Sequence, residues 1–102
     1  MRILILFDLP VKTIKERRVA TRFRNFLLKD GYHMLQFSVY ARVCNGLDAV
    51  EKHKKRIYGN VPDNGSIRLM VLTEKQFETM EVLVGKLKVE ETNFVCQQLT
   101  IF

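Results

Sequence analysis

The feature that most constrains this chain is an uninterrupted apolar run, residues 3–7, that ends at the carboxylate of Asp8. A continuous isoleucine and leucine run closed by Pro10 is typical of a strand that is covered on both faces of a sheet. A carboxylate at the end of such a strand needs hydrogen bonds, a cation or a metal ion to offset its burial. Asp8 is therefore either a cap of the following turn or a rigidly held functional carboxylate.

The size and composition of the chain limit its class. At 102 residues it is expected to form a single domain, 1–102, which buries a smaller fraction of its surface than a larger domain would. Hydrophobic residues make up 47% of the chain, which excludes a disordered protein. The chain shows no secretory signal pattern, no membrane span and no paired cysteines, so we expect a cytoplasmic protein with reduced Cys44 and Cys96. Dimerisation is a plausible source of additional stability.

Positive charge is concentrated in residues 12–30. This segment carries seven basic residues and two acidic ones, a formal +5 of the chain's +6. Its apolar residues recur at helical spacing, which predicts a helix with one face on a sheet and one arginine-rich face, ended by Gly31 as the C-cap. The predicted inner residues are Val19, Ala20, Phe23, Phe26 and Leu27.

The arginine-rich face of this helix is a candidate nucleic-acid-binding surface. Arginine suits phosphate because its planar guanidinium stays charged and can make two bonds to oxygen. The alternative is a basic face that only meets solvent. The candidate binding residues are Lys15, Arg17, Arg18, Arg22, Arg24 and Lys29.

The middle of the chain predicts a further strand region and a second helix. Residues 32–44 alternate with a period of two and form either one long strand or two short strands bent near 36–38. Their predicted core-facing residues are Leu35, Phe37, Val39, Ala41 and Val43. The second helix follows and ends at Gly59, and a basic cluster at residues 52–56 adds to the argument for nucleic acid. The predicted inner residues of this second helix are Leu47, Val50, Ile57 and Tyr58.

The last part of the chain predicts a loop, two strands, a short helix and a final strand. A turn-rich loop at 60–65 precedes a strand at 66–73, a short helix at 74–80 and a brief strand at 82–84. The order of elements predicts an α+β, ferredoxin-like split βαβ sandwich with residues 1–80 as its core. Residues 81–102 are predicted to be an extension for dimer and partner contacts, because the apolar strand at 94–102 needs a sheet edge to pair with.

Several segments resemble the small universal adaptation subunit of CRISPR systems, the second of the numbered CRISPR-associated families. They are the strand ending Phe-Asp-Leu-Pro at 7–10, the helix end at 26–31 and Met-Leu-Gln-Phe-Ser-Val-Tyr at 34–40. The segments at 51–53 and 72–77 resemble the type II form of that subunit. The resemblance covers nearly the whole chain.

This resemblance implies a homodimer, flanked by two dimers of the CRISPR integrase subunit, that holds duplex protospacer DNA for insertion into the CRISPR array. It also implies that Asp8 lies near the dimer axis, where two copies could share one Mg²⁺ or Mn²⁺ ion. By the same resemblance, some members are metal-dependent endonucleases on single-stranded RNA or on DNA.

The residues themselves limit the enzyme hypothesis. Metal-assisted phosphodiester hydrolysis needs several oxygen ligands, and Asp8 is the one carboxylate predicted at a strand end beside the core. His33 and His53 lack zinc-ligand or general-base spacing. Together with these residues, the resemblance favours a DNA-binding architectural subunit of the spacer-acquisition complex. The alternatives are a nuclease with Asp8 as its catalytic and metal-binding residue and a stand-alone toxin-like ribonuclease.

Overall fold

In a computed structural model, which describes residues 1–85, the chain forms a sheet with two helices on one face and a short third helix. The strands are β1 (Arg2–Asp8), β2 (His33–Gln36), β3 (Val39–Val43) and β4 (Ser66–Leu72). The helices are α1 (Ile14–Lys29), α2 (Gly46–Tyr58) and α3 (Glu74–Glu78). The strand order is β2-β3-β1-β4, and every neighbouring pair is antiparallel. This confirms the predicted α+β, ferredoxin-like fold.

The core lies between the sheet and helices α1 and α2. Ile3, Ile5 and Phe7 alternate along β1 and point toward the helices, where they form one buried cluster with residues of both. Phe23 of α1 meets Phe7 edge to face, with the ring centroids 5.2 Å apart. The predicted inner face of α1 is confirmed by the burial of Phe23, Leu27 and a third residue, Ala20.

The other face of β1 is less covered than the sequence predicts. Burial on both faces holds for Arg2 and Leu4, but Leu6 is 36% exposed and Asp8 is exposed. The reason is that α1 and α2 both pack on the same side of the sheet. The end of the central strand thus presents Asp8 to solvent.

Residues 32–44 form two short strands joined by a hairpin. Ser38 takes a positive φ of 64° at the turn, and its carbonyl accepts a hydrogen bond of 3.1 Å from the N–H of Phe7. The predicted core-facing set is wrong here, because Tyr40 is buried and stacks on Phe7 at 5.6 Å. Val39, Ala41 and Val43 therefore point to the other face, and Phe37 at the hairpin tip is 78% exposed.

The inner face of α2 also differs from the prediction. Val50 and Ile57 are buried as expected, but Leu47 and Tyr58 are exposed and His53 is buried in their place. His53 lies three residues after Val50 and four before Ile57, so it shares their helix face. The carboxylate of Asp30 is the polar partner that makes this burial possible.

Helix α3 is held against the sheet by Arg2. The Arg2 side chain is fully buried, its guanidinium carbon lies 3.9 Å from the centroid of the Phe77 ring, and its Nε lies 3.2 Å from a carboxylate oxygen of Glu74. Both partners belong to α3. This helix was predicted at 74–80, and the structure confirms it over the shorter range Glu74–Glu78.

The predictions for the end of the chain have different outcomes. The brief strand predicted at 82–84 is wrong, because residues 83–85 make bends and none of residues 82–84 pairs with the four described strands. The strand predicted at 94–102 and Cys96 lie outside the described residues, as does most of the proposed extension. Across residues 1–85, no helix has the length and apolarity needed to cross a membrane.

Candidate nucleic-acid interface

Helix α1 starts at a well-formed capping box. The Thr13 hydroxyl oxygen accepts a hydrogen bond of 3.1 Å from the N–H of Glu16, and the Glu16 carboxylate accepts one of 2.9 Å from the N–H of Thr13. The cap fixes where the helix begins after β1. It therefore also fixes which side chains of α1 face solvent.

The outward face of α1 carries four cations that have no partner within the described residues. The structure places Lys15, Arg18, Arg22 and Lys29 at the surface, opposite the buried face. Within residues 1–85, none of these four side chains makes a hydrogen bond or an ion pair. Their charges are thus available to an external anion, and their role in binding remains a prediction.

Arg17 and Arg24 differ from the other four candidates. The Arg17 guanidinium donates hydrogen bonds of 3.2 Å to the carbonyl oxygens of Val11 and Lys12, so it is tied to the loop before the helix. Arg24 is half-buried, and its guanidinium carbon lies 6.0 Å from the centroid of the exposed Phe37 ring. Both guanidinium groups thus have intramolecular contacts, which makes them less available to an external anion than the other four cations.

The second basic cluster, on α2, is largely occupied by intramolecular contacts. Lys54 Nζ lies 3.6 Å from a Glu51 carboxylate oxygen, and Arg56 Nη1 lies 2.6 Å from the Asp30 carboxylate. His53 Nδ1 lies 3.0 Å from the other oxygen of Asp30. Lys52 and Lys55 are the cluster members without a partner in the described part of the chain.

Asp30 is the junction of α1, α2 and β3, and the sequence did not single it out for this role. Its side chain is 8% exposed and meets His53 and Arg56, while its backbone carbonyl accepts a hydrogen bond from Arg42. Burial by itself would raise the pKa of Asp30. The hydrogen bonds and charges of His53 and Arg56 outweigh it and hold that pKa below its usual value. His53 thus has a structural role.

Asp8 ends β1 as predicted, but the turn cap that the sequence allows is not formed within residues 1–85, and the role of Asp8 as a functional carboxylate remains a prediction. Its side chain is exposed and makes no hydrogen bond within residues 1–85, so it does not cap the turn. The backbone there is tightly packed, because a Cβ at Gly65, whose φ is +101°, would lie 2.8 Å from the Asp8 carbonyl oxygen. Gly65 therefore holds the loop closely against the end of β1.

The donor set around Asp8 does not fit a divalent metal ion in one chain. No group of three or more His, Cys, Asp or Glu side chains among residues 1–85 is placed to hold a metal. The cross-strand neighbour of Asp8 is Ser66, and the next residue on that face of β4 is Arg68. A hydroxyl and a guanidinium do not supply the several oxygen ligands that Mg²⁺ requires.

The ferredoxin-like sheet, with two helices on one face and a row of cations on α1 that have no partner within residues 1–85, defines a small basic α+β protein. Residues 1–80 match the model of the family described as CRISPR associated protein Cas2, and the chain belongs to that family.

Individual relatives extend the match over the full chain. The chain is 49% identical over 102 residues to the CRISPR-associated endoribonuclease Cas2 of Acidovorax ebreus, which covers all of both chains. It is 43% identical to the protein of the same name from Campylobacter jejuni, covering 100% of this chain and 71% of that one. A crystal structure of Streptococcus pyogenes Cas2 at pH 6.5 shares the fold, with a TM-score of 0.62, 21% identity and coverage of 82% of this chain and 100% of that one.

Proposed function

We propose that this protein is a DNA-binding architectural subunit of the CRISPR spacer-acquisition complex. The observation that carries the proposal is the outward face of α1, where Lys15, Arg18, Arg22 and Lys29 have no partner in the described residues. Phosphates along a duplex attract such cations, and the counterions that they release make binding sensitive to salt.

The dimensions of α1 suit a duplex. From Lys15 to Lys29 the helix rises roughly 21 Å, so its cations can meet several phosphates along a strand or across a groove. These contacts are to the backbone of the nucleic acid and carry no direct sequence information. A subunit that holds spacers of many sequences requires binding of this kind.

The sheet face opposite the helices supports a homodimer. Leu6 of β1 and Met70 of β4 are 36% and 49% exposed on that face, beside the buried Leu4. Apolar side chains exposed on a sheet surface favour burial against a partner. We propose that a second copy covers this face and that two dimers of the CRISPR integrase subunit flank the assembly.

The alternative function is a metal-dependent endonuclease acting on single-stranded RNA or DNA through Asp8 of two subunits. The names of the relatives, endoribonuclease Cas2, favour this alternative. Substitution of Asp8 by Asn distinguishes the two, because it keeps the size of the side chain and removes its charge. For an architectural subunit, spacer acquisition in cells survives in Asp8→Asn, whereas for a nuclease both Mg²⁺-dependent cleavage and acquisition are lost.

The cationic face is tested by a triple substitution, Arg18, Arg22 and Lys29 to Gln. We expect duplex DNA affinity to fall about a hundredfold for all sequences alike, since each exposed phosphate contact contributes about 1 kcal/mol. The slope of the logarithm of the binding constant against the logarithm of the salt concentration should become shallower by about three units, one for each lost phosphate contact. Fluorescence anisotropy across a salt series measures both quantities.

A matched control removes the same number of charges from the other helix, with Lys52, Lys54 and Lys55 of α2 changed to Gln. This control should lose less than about tenfold in affinity, because it changes the long-range field with few direct contacts. Equal losses in the two triple variants, or duplex binding that does not respond to salt, would refute the assignment of binding to α1.

A further inference from the structure

Arg68 shares a sheet face with Asp8. In the register of β1 and β4, Arg68 lies directly opposite Leu6 and Ser66 lies opposite Asp8. Leu6 and Asp8 are two residues apart on one strand, so their side chains point to the same face. Arg68 is therefore the diagonal neighbour of Asp8, on the face opposite the two long helices.

The diagonal spacing brings the two charges within range of each other. Diagonal neighbours on adjacent antiparallel strands lie about 7–8 Å apart, which a guanidinium on a long side chain can span. Both side chains are exposed, and neither has an ion-pair partner within residues 1–85. No ion pair joins the two side chains in the structure, so Arg68 can act on Asp8 only through its charge across the sheet, not through a direct contact.

We propose that the positive charge of Arg68, across the sheet from Asp8, keeps divalent cations away from this carboxylate. A divalent ion that approaches Asp8 meets one negative charge and, close by, one positive charge. Hard cations bind where several carboxylate or carbonyl oxygens converge, and a neighbouring guanidinium repels them. Arg68 thus adds charge repulsion to the shortage of oxygen ligands around Asp8 within residues 1–85.

The pair also suits the apolar surroundings of the face. Leu6 and Met70 flank Asp8 and Arg68, and this is the face that we propose is covered by a second copy. Burial of a lone carboxylate is costly, whereas a carboxylate with an adjacent guanidinium can be covered at lower cost. This step depends on the proposed dimer, but the exclusion of metal ions does not.

The test is a titration with Mn²⁺, followed by the electron paramagnetic resonance signal of the free ion, at low ionic strength. Arg68→Gln should bind Mn²⁺ about tenfold more tightly than the unmodified protein. Lys52→Gln, on the opposite side of the sheet, removes the same charge and should leave the affinity unchanged. Arg68→Lys keeps the charge and should also behave as the unmodified protein does.

A double variant, Asp8→Asn with Arg68→Gln, identifies the carboxylate involved. The tighter binding should disappear in this variant, and circular dichroism should show that all variants are folded. Equal affinities in Arg68→Gln and Lys52→Gln would overturn the proposal. So would tighter binding by Arg68→Gln that persists after Asp8 is replaced. Neither result depends on DNA binding by α1.

Discussion

Helices α1 and α2 both carry a basic cluster, but they use it differently. On α1 the outward cations, among them Arg18 and Arg22, have no partner in the described residues. On α2, Arg56 and His53 meet the carboxylate of Asp30, and Lys54 lies near Glu51. The number of basic residues in a segment therefore overstates the charge that it offers to a ligand.

The difference between the two helices originates largely from one acidic residue. Asp30 follows the last residue of α1, and its carboxylate is directed toward α2. It neutralises charge on α2 and leaves the outward face of α1 unaffected. The same residue accepts a hydrogen bond from Arg42 on its backbone carbonyl, so one position joins α1, α2 and β3.

The strongest way to break this arrangement is to remove the charge of Asp30. Asp30→Asn should lower the free energy of unfolding by about 2 kcal/mol, because it leaves buried His53 and half-exposed Arg56 without their carboxylate. Urea denaturation measures the change. Asp63→Asn, in the exposed loop before β4, is the control and should change stability by less than about 0.5 kcal/mol. An equal effect of both variants would contradict the junction.

The same contact predicts a pH dependence. The pKa of Asp30 is lower in the folded protein than its usual value of 3.8, so the unfolded chain binds the proton more readily. The stabilisation is thus complete above that usual value and is lost as the pH falls through the lower, folded value. Urea midpoints from about pH 7 to about pH 2.5 should show the difference between the unmodified protein and Asp30→Asn narrowing with acid. A constant difference would contradict this prediction.

A pair of single substitutions separates the two helices by function. Arg22→Gln should weaken duplex binding about fivefold and leave stability within about 0.5 kcal/mol. Arg56→Gln should do the reverse, lowering the free energy of unfolding by about 1 kcal/mol and changing binding by less than about twofold. Anisotropy and urea denaturation on both variants provide the comparison. Similar binding losses would mean that α2 contributes equally to the interface.

The fold followed from the sequence wherever periodicity and turn residues were strong. The central strand, the buried arc of α1 and the order of elements all rest on patterns that act over neighbouring residues. The predicted inner face of the hairpin was wrong because the turn interrupts the alternation of side chains. Whether Tyr40 faces the same side as Leu35 therefore cannot be decided without knowing the geometry of that turn. Ser38 sets that turn with a positive φ, which is uncommon outside glycine.

The candidate site was harder to predict because charge pairing depends on contacts between distant residues. The sequence showed every basic residue of α1 and α2, but Asp30 and His53 lie 23 positions apart and meet only in the folded protein. Arg68 was also missed, since its closeness to Asp8 follows from strand register. The signal that could have identified Arg68 is a single basic residue within an otherwise apolar strand, at a position where the side chain points away from the helices.

The smallest predicted effect lies within α1 itself and tests whether exposure or pairing decides which arginine binds. Arg17 and Arg18 are both exposed, but the Arg17 guanidinium already donates to the carbonyl oxygens of Val11 and Lys12. To bind phosphate with both arms of its fork, Arg17 would have to give up those bonds, which offsets part of the gain.

Arg17→Gln should therefore weaken duplex binding by less than about twofold, against about threefold to fivefold for Arg18→Gln. It should also lower the free energy of unfolding by about 0.5 kcal/mol, because the loop before α1 loses two hydrogen bonds to a charged donor. Anisotropy and urea denaturation on the two variants measure these differences. If Arg17→Gln weakened binding as much as Arg18→Gln and left stability unchanged, exposure and not pairing would determine which cations of α1 bind DNA.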